Sequence, residues 1–286
     1  MDIIEVQHLS YRYPTAQKPS LRDINLRIKK GELCAIVGAN DSGKTTLCHA
    51  IRGFLPHFHK GEMEGDVFVM GENTRSKTIA GLCGTVGIVV QNPFTQLSGV
   101  AETAYEEIAF GLENMGIPFE ETRKRVENIL KLFNLDELRD RNPFELSGGQ
   151  QQILSLASIM VMEPDVLVMD EPTSQVDPQR TEEIYQIINF FKEKGTTIVL
   201  VEHKMELIAQ FADHVVMLEN GAVVMDGKPS DIFSDPEIIK YKVSPPRYAM
   251  LGMELQKRGF PLHRIPITEN QAVSQIKELL SAKGSC

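Results

Sequence analysis

An unbroken apolar run, Leu33-Cys34-Ala35-Ile36-Val37, opens directly into Gly38-Ala39-Asn40-Asp41-Ser42-Gly43-Lys44-Thr45, and a helical pattern follows. The spacing G-x-x-x-x-G-K-[ST] between a strand and a helix constrains this chain more than any other feature. The glycines allow backbone N–H groups to close round phosphate oxygens, and the following helix turns its positive end toward them. Lys44 is expected to reach the β- and γ-phosphates, and the Thr45 hydroxyl to ligate Mg²⁺. A plain glycine turn would instead leave a lysine buried and unpaired at a helix start, where a cation is disfavoured. Nucleotide contacts are therefore assigned to Gly38, Asn40, Ser42, Gly43, Lys44, Thr45 and Thr46. Asp41 is the odd member, because its carboxylate would repel a nucleotide unless it faces solvent or a neighbouring subunit.

The rest of the chain supplies the sheet that such a loop requires. Val86 to Val90, Val166 to Met169, Thr197 to Val201 and His214 to Leu218 are short, β-branched runs bounded by turn residues or charges. They read as strands covered on both faces, with helical patterns between them, which predicts an α/β fold with a mostly parallel core sheet. Alternation in Ile24, Leu26 and Ile28, and in the segment from Ile3 to Leu9, adds an antiparallel β edge. Residues 92–160 break the rhythm: Ala104, Ile108, Leu112 and Met115, then Val126, Ile129, Leu130 and Phe133, recur at helical spacing with no strand between them. This is a helical insertion. Ser244-Pro245-Pro246 marks a second boundary. Beyond it Tyr248 to Arg258 and Thr268 to Leu280 read as two short helices, the second opened by Thr268-x-x-Gln271 as a capping box. The domains expected are 1–243, including the insertion, and a C-terminal helical extension, 244–286.

With 286 residues, 42% of them hydrophobic, the chain can bury a full core, so disorder is excluded. Thirty basic against 39 acidic residues give a formal charge of −9, which argues against nucleic acid as a partner. No apolar run approaches the roughly 18 residues of a membrane span. The start, Met-Asp-Ile-Ile-Glu, lacks the pattern of an export signal. Cys34, Cys48, Cys83 and Cys286 form no paired motif and read as reduced thiols.

Val166 to Met169 leads into Asp170-Glu171-Pro172, which places two carboxylates at the C-terminal end of a buried strand, where parallel sheets present their sites. Asp170 is expected to hold Mg²⁺, and Glu171 to orient and deprotonate an attacking water. Leu146-Ser147-Gly148-Gly149-Gln150 precedes a long apolar helix and puts a hydroxyl and backbone N–H groups at another positive helix end. Taken with the loop and the acidic pair, this string makes the chain resemble the ATP-binding cassette (ABC) ATPases, a class of P-loop NTPase. In that family the signature closes over ATP held by the opposite subunit, here through Ser147, Gly148, Gly149 and Gln150. The resemblance covers about residues 1 to 240. It implies adenine stacking on Tyr13, with Tyr11 the weaker choice. It also implies a Q-loop Gln91 that touches Mg²⁺, a D-loop around Asp177 at the dimer interface, and a switch His203 that contacts the γ-phosphate.

Tyr11-Arg12-Tyr13-Pro14, Gly53 to His57, Ala109 to Asn114, Thr173 to Pro178 and Val201-Glu202-His203-Lys204 resemble the ATPase subunits of energy-coupling factor (ECF) transporters. The resemblance implies an ATP hydrolase with ATP and Mg²⁺ as cofactors that drives import of a vitamin or a transition metal ion. Its implied partners are a second ATPase subunit, in a homo- or heterodimer, an integral membrane coupling subunit and a substrate-binding membrane subunit. Its implied location is peripheral, on the cytoplasmic face of the cell membrane. The family usually has Gly at Asp41, Arg at Ile153 and Ser158, and Leu at Val176. These departures keep open a nucleotide-dependent scaffold with little turnover, beside the ATPase of another ABC system. His49, His57, His59, Glu62, Glu64 and Cys48 lie close in sequence but lack the spacing of a closed metal site. Glu102, Glu106, Glu107 and Glu113 read as a solvated acidic face.

Overall fold

The computed structural model describes residues 1–283; Cys286 lies outside the described residues. The five apolar runs are strands: β3 (Leu33–Val37), β6 (Val86–Val89), β7 (Val166–Asp170), β8 (Thr197–Val201) and β9 (His214–Glu219). They lie in the order β9-β3-β8-β7-β6, every neighbouring pair parallel. One further strand, β10 (Ala222–Gly227), adds antiparallel to β9. β3, β7 and β8 are buried at every residue, as continuous apolar strands under helices must be. β6 stops one residue short of the expected end because the Val90 N–H donates to the Gln96 side chain, at 2.9 Å. β7 runs one residue further, pairing Asp170 with Val201.

The antiparallel part is a sheet of its own, ordered β2-β1-β4-β5, from β1 (Asp2–Arg12), β2 (Leu21–Lys29), β4 (Glu62–Val69) and β5 (Glu72–Asn73). The Arg22 N–H donates to Gly221 O at 2.7 Å and ties this sheet to the turn between β9 and β10. Helix α1 (Lys44–Ile51) is packed between the two sheets, where Leu47, Ala50 and Ile51 join Ile4, Leu9, Ile24 and Ile36 in one cluster. Each fully buried Leu or Ile contributes about 2 kcal/mol by leaving water.

After α2 (Ile79–Leu82) and β6, the chain forms α3 (Ala104–Asn114), α4 (Phe119–Leu132) and α5 (Gly148–Met160) before returning to the sheet at β7. Their apolar stripes meet each other and α6 (Pro178–Glu193) in a second cluster that includes Ile108, Leu130, Leu154 and Ile188. Thr103 and Glu106 form a capping box at the start of α3. The reading of a solvated acidic face needs correction at Glu107. Its carboxylate is buried and accepts from the N–H and hydroxyl of Ser98 at 2.8 and 2.7 Å, which satisfies it inside.

A third cluster covers Ala35, Val37, Val215 and Met217 with α7 (Met205–Phe211), α8 (Pro229–Ser234), α9 (Arg247–Lys257) and Ile267, which precedes the last helix, α10 (Glu269–Lys283). Ala249 and Ile267 are the anchors of this last segment. Gln271 reaches back to the Ile267 N–H, one residue before the partner a capping box would use.

His214, at the start of β9, bonds Asp226 on β10, with Glu32 3.9 Å from its other ring nitrogen. The Asp226 bond raises its pKa above the ordinary histidine value against the opposing effect of burial. A raised folded-state pKa contributes stability that is full below the unfolded value, about 6.5, and is lost as pH rises through the folded value. His214→Gln is therefore expected to lower unfolding free energy by about 0.5–1 kcal/mol at pH 5.5, a figure discounted for solvent screening at Asp226, and by less at pH 9. Urea denaturation at the two pH values checks this.

Candidate active site

Because β3, β8, β7 and β6 run parallel and side by side, the loops at their C-terminal ends emerge along one edge. Those loops carry Gly38 to Thr45, His203, Asp170-Glu171 and Gln91 respectively.

The 38–45 loop is held by close packing. Gly38 has φ +151°, and a Cβ there would stand 2.3 Å from Leu218 O and 2.7 Å from Ser42 Oγ, so no side chain fits. Lys44 is buried and curls over the loop, donating to Gly38 O at 3.0 Å and Ala39 O at 2.8 Å. Burial lowers its pKa, opposed by Glu171, Asp170 and Asp41. Ser42 Oγ is buried with no partner among the described residues, and Asn40 is exposed. Asp41 is exposed with φ +60°, so it adopts the left-handed turn that a glycine would otherwise supply while its side chain faces solvent.

Tyr13, Ser20 and residues 41–46 line a cleft of about 290 Å³. Tyr13 is half-buried, its hydroxyl 3.4 Å from Thr46 Oγ1. Tyr11 is 1% exposed and donates to the carbonyls of His59 and Lys60 at 3.0 and 2.9 Å, which leaves only Tyr13 open to a ligand. A cavity of similar volume lies beside Ile129, Phe190 and Lys194 but holds none of the site's groups, so chemistry rather than size identifies the cleft.

Thr45 Oγ1 donates to Asp170 Oδ2 at 2.6 Å. Burial raises the Asp170 pKa, the Thr45 bond lowers it, and the Glu171 charge beside it raises it again. A Thr hydroxyl and a buried carboxylate short of counter-charge are hard oxygen donors that fit Mg²⁺. Next to this pair, Glu171 is turned outward by a φ of +50°, a conformation that costs a non-glycine residue about 1 kcal/mol. Its Oε2 accepts from Gln91 Nε2 at 2.7 Å, and its Oε1 is 3.0 Å from His203 Nε2. Gln91, Glu171 and His203 thus come from three separate strands to one point.

Ser147 to Gln150 lie apart from this group. Ser147 is exposed and N-caps α5, and Gln150 returns its side chain to the Ser147 N–H at 2.9 Å. A Cβ on Gly148 would meet Gln175 Oε1 at 2.4 Å, which puts the 147–150 turn against the loop after β7. Asp177 N-caps α6, accepting from Arg180 N at 3.0 Å.

Two residues escaped the sequence reading. Glu202 is buried and accepts from His203 N at 2.7 Å, Thr173 Oγ1 at 3.0 Å and Tyr185 OH at 3.2 Å, which fixes the backbone that carries His203. Its place between a strand and a histidine was the only signal. Gln96 links Val90 N to Ser155 O on α5 and so joins the end of β6 to the helix after Ser147; nothing in the sequence marked it. The histidine cluster is structural: His49 stacks on His59 at 4.7 Å, and burial lowers its pKa to about 4. Among the described residues no group of three His, Cys, Asp or Glu side chains could hold a metal ion.

A parallel sheet presenting a glycine-lysine phosphate loop beside paired carboxylates defines a P-loop nucleoside triphosphatase. The model of the ABC transporter family matches residues 21–174. The chain belongs to that family as an ATP-binding subunit whose hydrolysis of ATP is coupled to transport. A Pyrococcus abyssi protein named for an ABC transporter ATP-binding role is 43% identical over 282 residues, covering 98% of this chain and 100% of its own. The energy-coupling factor transporter ATP-binding protein EcfA2 of Streptococcus thermophilus is 37% identical over 276 residues, 94% of this chain and 97% of its own. Among solved structures, cbiO1 of Clostridium perfringens, part of the ABC transporter complex cbiONQ, aligns with TM-score 0.72 and 33% identity over 90% of this chain and 97% of its own. The cassette MJ0796, solved as a post-hydrolysis dimer with ADP and phosphate, aligns with TM-score 0.70 and 27% identity over 79% and 98%.

Tyr13→Ala is expected to weaken ATP binding about tenfold, the worth of one stacked ring, without loss of stability. Tyr11→Phe should leave binding intact and lower stability by about 1 kcal/mol, because two part-buried carbonyls lose their donor. Equilibrium nucleotide titration and thermal unfolding of both variants separate the roles.

Proposed function

We propose that two copies of this ATPase fold, in a homo- or heterodimer, clamp ATP between the 38–45 loop of one and residues 147–150 of the other. The convergence of Gln91 and His203 on Glu171, beside the Thr45–Asp170 pair, carries this reading. Within it, residues 1–243 are the nucleotide-binding domain with 92–160 as a helical arm, and 244–286 are an extension.

Tyr13 stacks on the adenine. Gly38, Asn40, Ser42, Gly43 and Thr46 offer the loop's donors, and Lys44 exchanges its two loop carbonyls for phosphate oxygens. Mg²⁺, held by Thr45, Asp170 and Gln91, neutralises charge on the β- and γ-phosphates when bound. Glu171 takes a proton from the attacking water, with Gln91 and His203 fixing both of its oxygens and His203 close enough to meet the γ-phosphate. Ser147, Gly148, Gly149 and Gln150 close on the γ-phosphate from the partner side, and the Asp177 loop lies at the interface. ATP must favour the closed pair over the open one, since equal affinity moves nothing.

The likeness to EcfA2 and to cbiO1 of the cbiONQ complex supports an ECF-type assembly on the cytoplasmic face of the membrane. In it this peripheral subunit pairs with an integral coupling subunit and a substrate-binding membrane subunit to import a vitamin or a transition metal ion. No described helix is long and apolar enough to cross a membrane, so such coupling runs through partners. Co-purification of a tagged chain with its membrane proteins, followed by uptake assays in vesicles, tests the cargo.

Glu171→Gln is nearly isosteric and keeps one oxygen to accept from Gln91, but removes the base. It is expected to lower kcat by about a hundredfold or more while ATP accumulates on a stable dimer. Phosphate-release kinetics and size-exclusion chromatography with ATP check this; wild-type turnover would refute the assignment of Glu171.

A further inference from the structure

Away from the nucleotide cleft, Arg52 is a buried charge without an anionic partner among the described residues. It directly follows α1, is 5% exposed, and lies with Cζ 5.4 Å from the centre of the Phe54 ring. Its Nη2 donates to Cys83 Sγ at 3.0 Å, while Nε and Nη1 are buried and without a hydrogen-bond partner among the described residues. A buried guanidinium is stable when an anion or several acceptors face it, and one neutral thiol supplies a single soft acceptor. Cys83 follows α2 and is exposed, with its S–H directed to Ile79 O at 3.4 Å. A reagent therefore reaches the sulfur from solvent while the cation holds it from inside. Cys34 and Cys48, by contrast, are buried, with thiols whose pKa values burial pushes up.

We propose that Cys83 is a redox-modification site at which Arg52 assists attack on a hydroperoxide and then binds the oxidised product. The sulfur attacks one peroxide oxygen; an S–O bond forms and the O–O bond breaks. The sulfur is oxidised by two electrons, and the peroxide is reduced to hydroxide, which leaves with the thiol proton as water. The sulfenic oxygen gives a guanidinium that now faces one neutral thiol a harder oxygen acceptor. A small thiol returns the site by forming a mixed disulfide with release of water, and a second thiol then reduces that disulfide. The guanidinium acts through its Nη2 donor, which already lies on the sulfur and is in place to hold the oxygen that forms there.

The test treats the full-length protein with hydrogen peroxide at pH 7, traps sulfenic acid with dimedone, and follows each cysteine by peptide mass spectrometry. Cys83 is expected to be labelled at least tenfold faster than Cys34 or Cys48, and at least tenfold faster than Cys83 in Arg52→Met. Equal rates in Arg52→Met and wild type would overturn the proposal. Because Arg52→Met alters a buried site, a second pair keeps the idea testable if that variant does not fold. Cys83→Asp, which offers an acceptor anion, should melt at or above the wild-type temperature, and Cys83→Ser several degrees below it. Equal melting of the Asp and Ser variants would show that Arg52 does not need an anion at this position.

Discussion

The parallel register of four neighbouring strands is the constraint on which the site depends. Ile36 is opposite Val201, Val201 opposite Asp170, and Val89 opposite Met169, so the strands end almost level. Residues far apart in the chain, Lys44, Gln91, Glu171 and His203, then need only one to seven residues of loop to converge. A slip of one residue in any of these pairings would turn every side chain of that strand to the opposite face. Because these strands are apolar on both faces, alternation alone does not protect the register. The helices on each side do, together with the side chains that latch the strand ends: Gln96 on Val90, Glu202 on His203 and Asp213 on Leu33.

Electrostatics at this edge are left deliberately incomplete by the protein's own groups. Asp170 and Glu171 are adjacent, both near Lys44, whose ammonium is engaged by neutral carbonyls rather than by either carboxylate. Burial opposes the charged forms of both Lys44 and Asp170. In the proposed complex a triphosphate with a divalent ion would relieve both imbalances together, giving the lysine anionic oxygens and the aspartate a cation. A pocket arranged in this way would distinguish a metal–nucleotide complex from either component, since one without the other leaves a buried charge unanswered.

How much of this was legible in the sequence follows from how local each determinant is. The phosphate loop, the acidic pair and the strand runs are contiguous in the chain, and each was placed within a residue or so of its position. β4 was missed because Glu62, Glu64 and Asp66 interrupt its apolar residues, and only pairing with β1 makes it a strand. Glu107 was misread because a carboxylate on a helix is solvated unless something buries it, and that something is Ser98, nine residues away. Glu202 belongs to a network with Thr173 and Tyr185 that no spacing rule links. Asp41 looked like a defect while only its charge was visible; its positive φ explains how the loop keeps its shape without a glycine at that position.

The start of α5 is the part of the proposed site that a second protomer would use. Ser147 and Gln150 satisfy each other in a capping box, which uses the first and fourth backbone donors of the turn. The N–H groups of Gly148 and Gly149 lie between these and have no acceptor within the helix, by the geometry of any helix start. Gln175 approaches both glycines closely enough that a side chain on Gly148 would collide with it, so the turn is narrow on the side of its own protomer and exposed on the other. The positive helix end therefore faces outward, open to an anion such as the phosphate that the proposed dimer would bring to it. Gln96 connects this helix back to the end of β6, so one bridge of hydrogen bonds joins α5 to the strand that leads into Gln91.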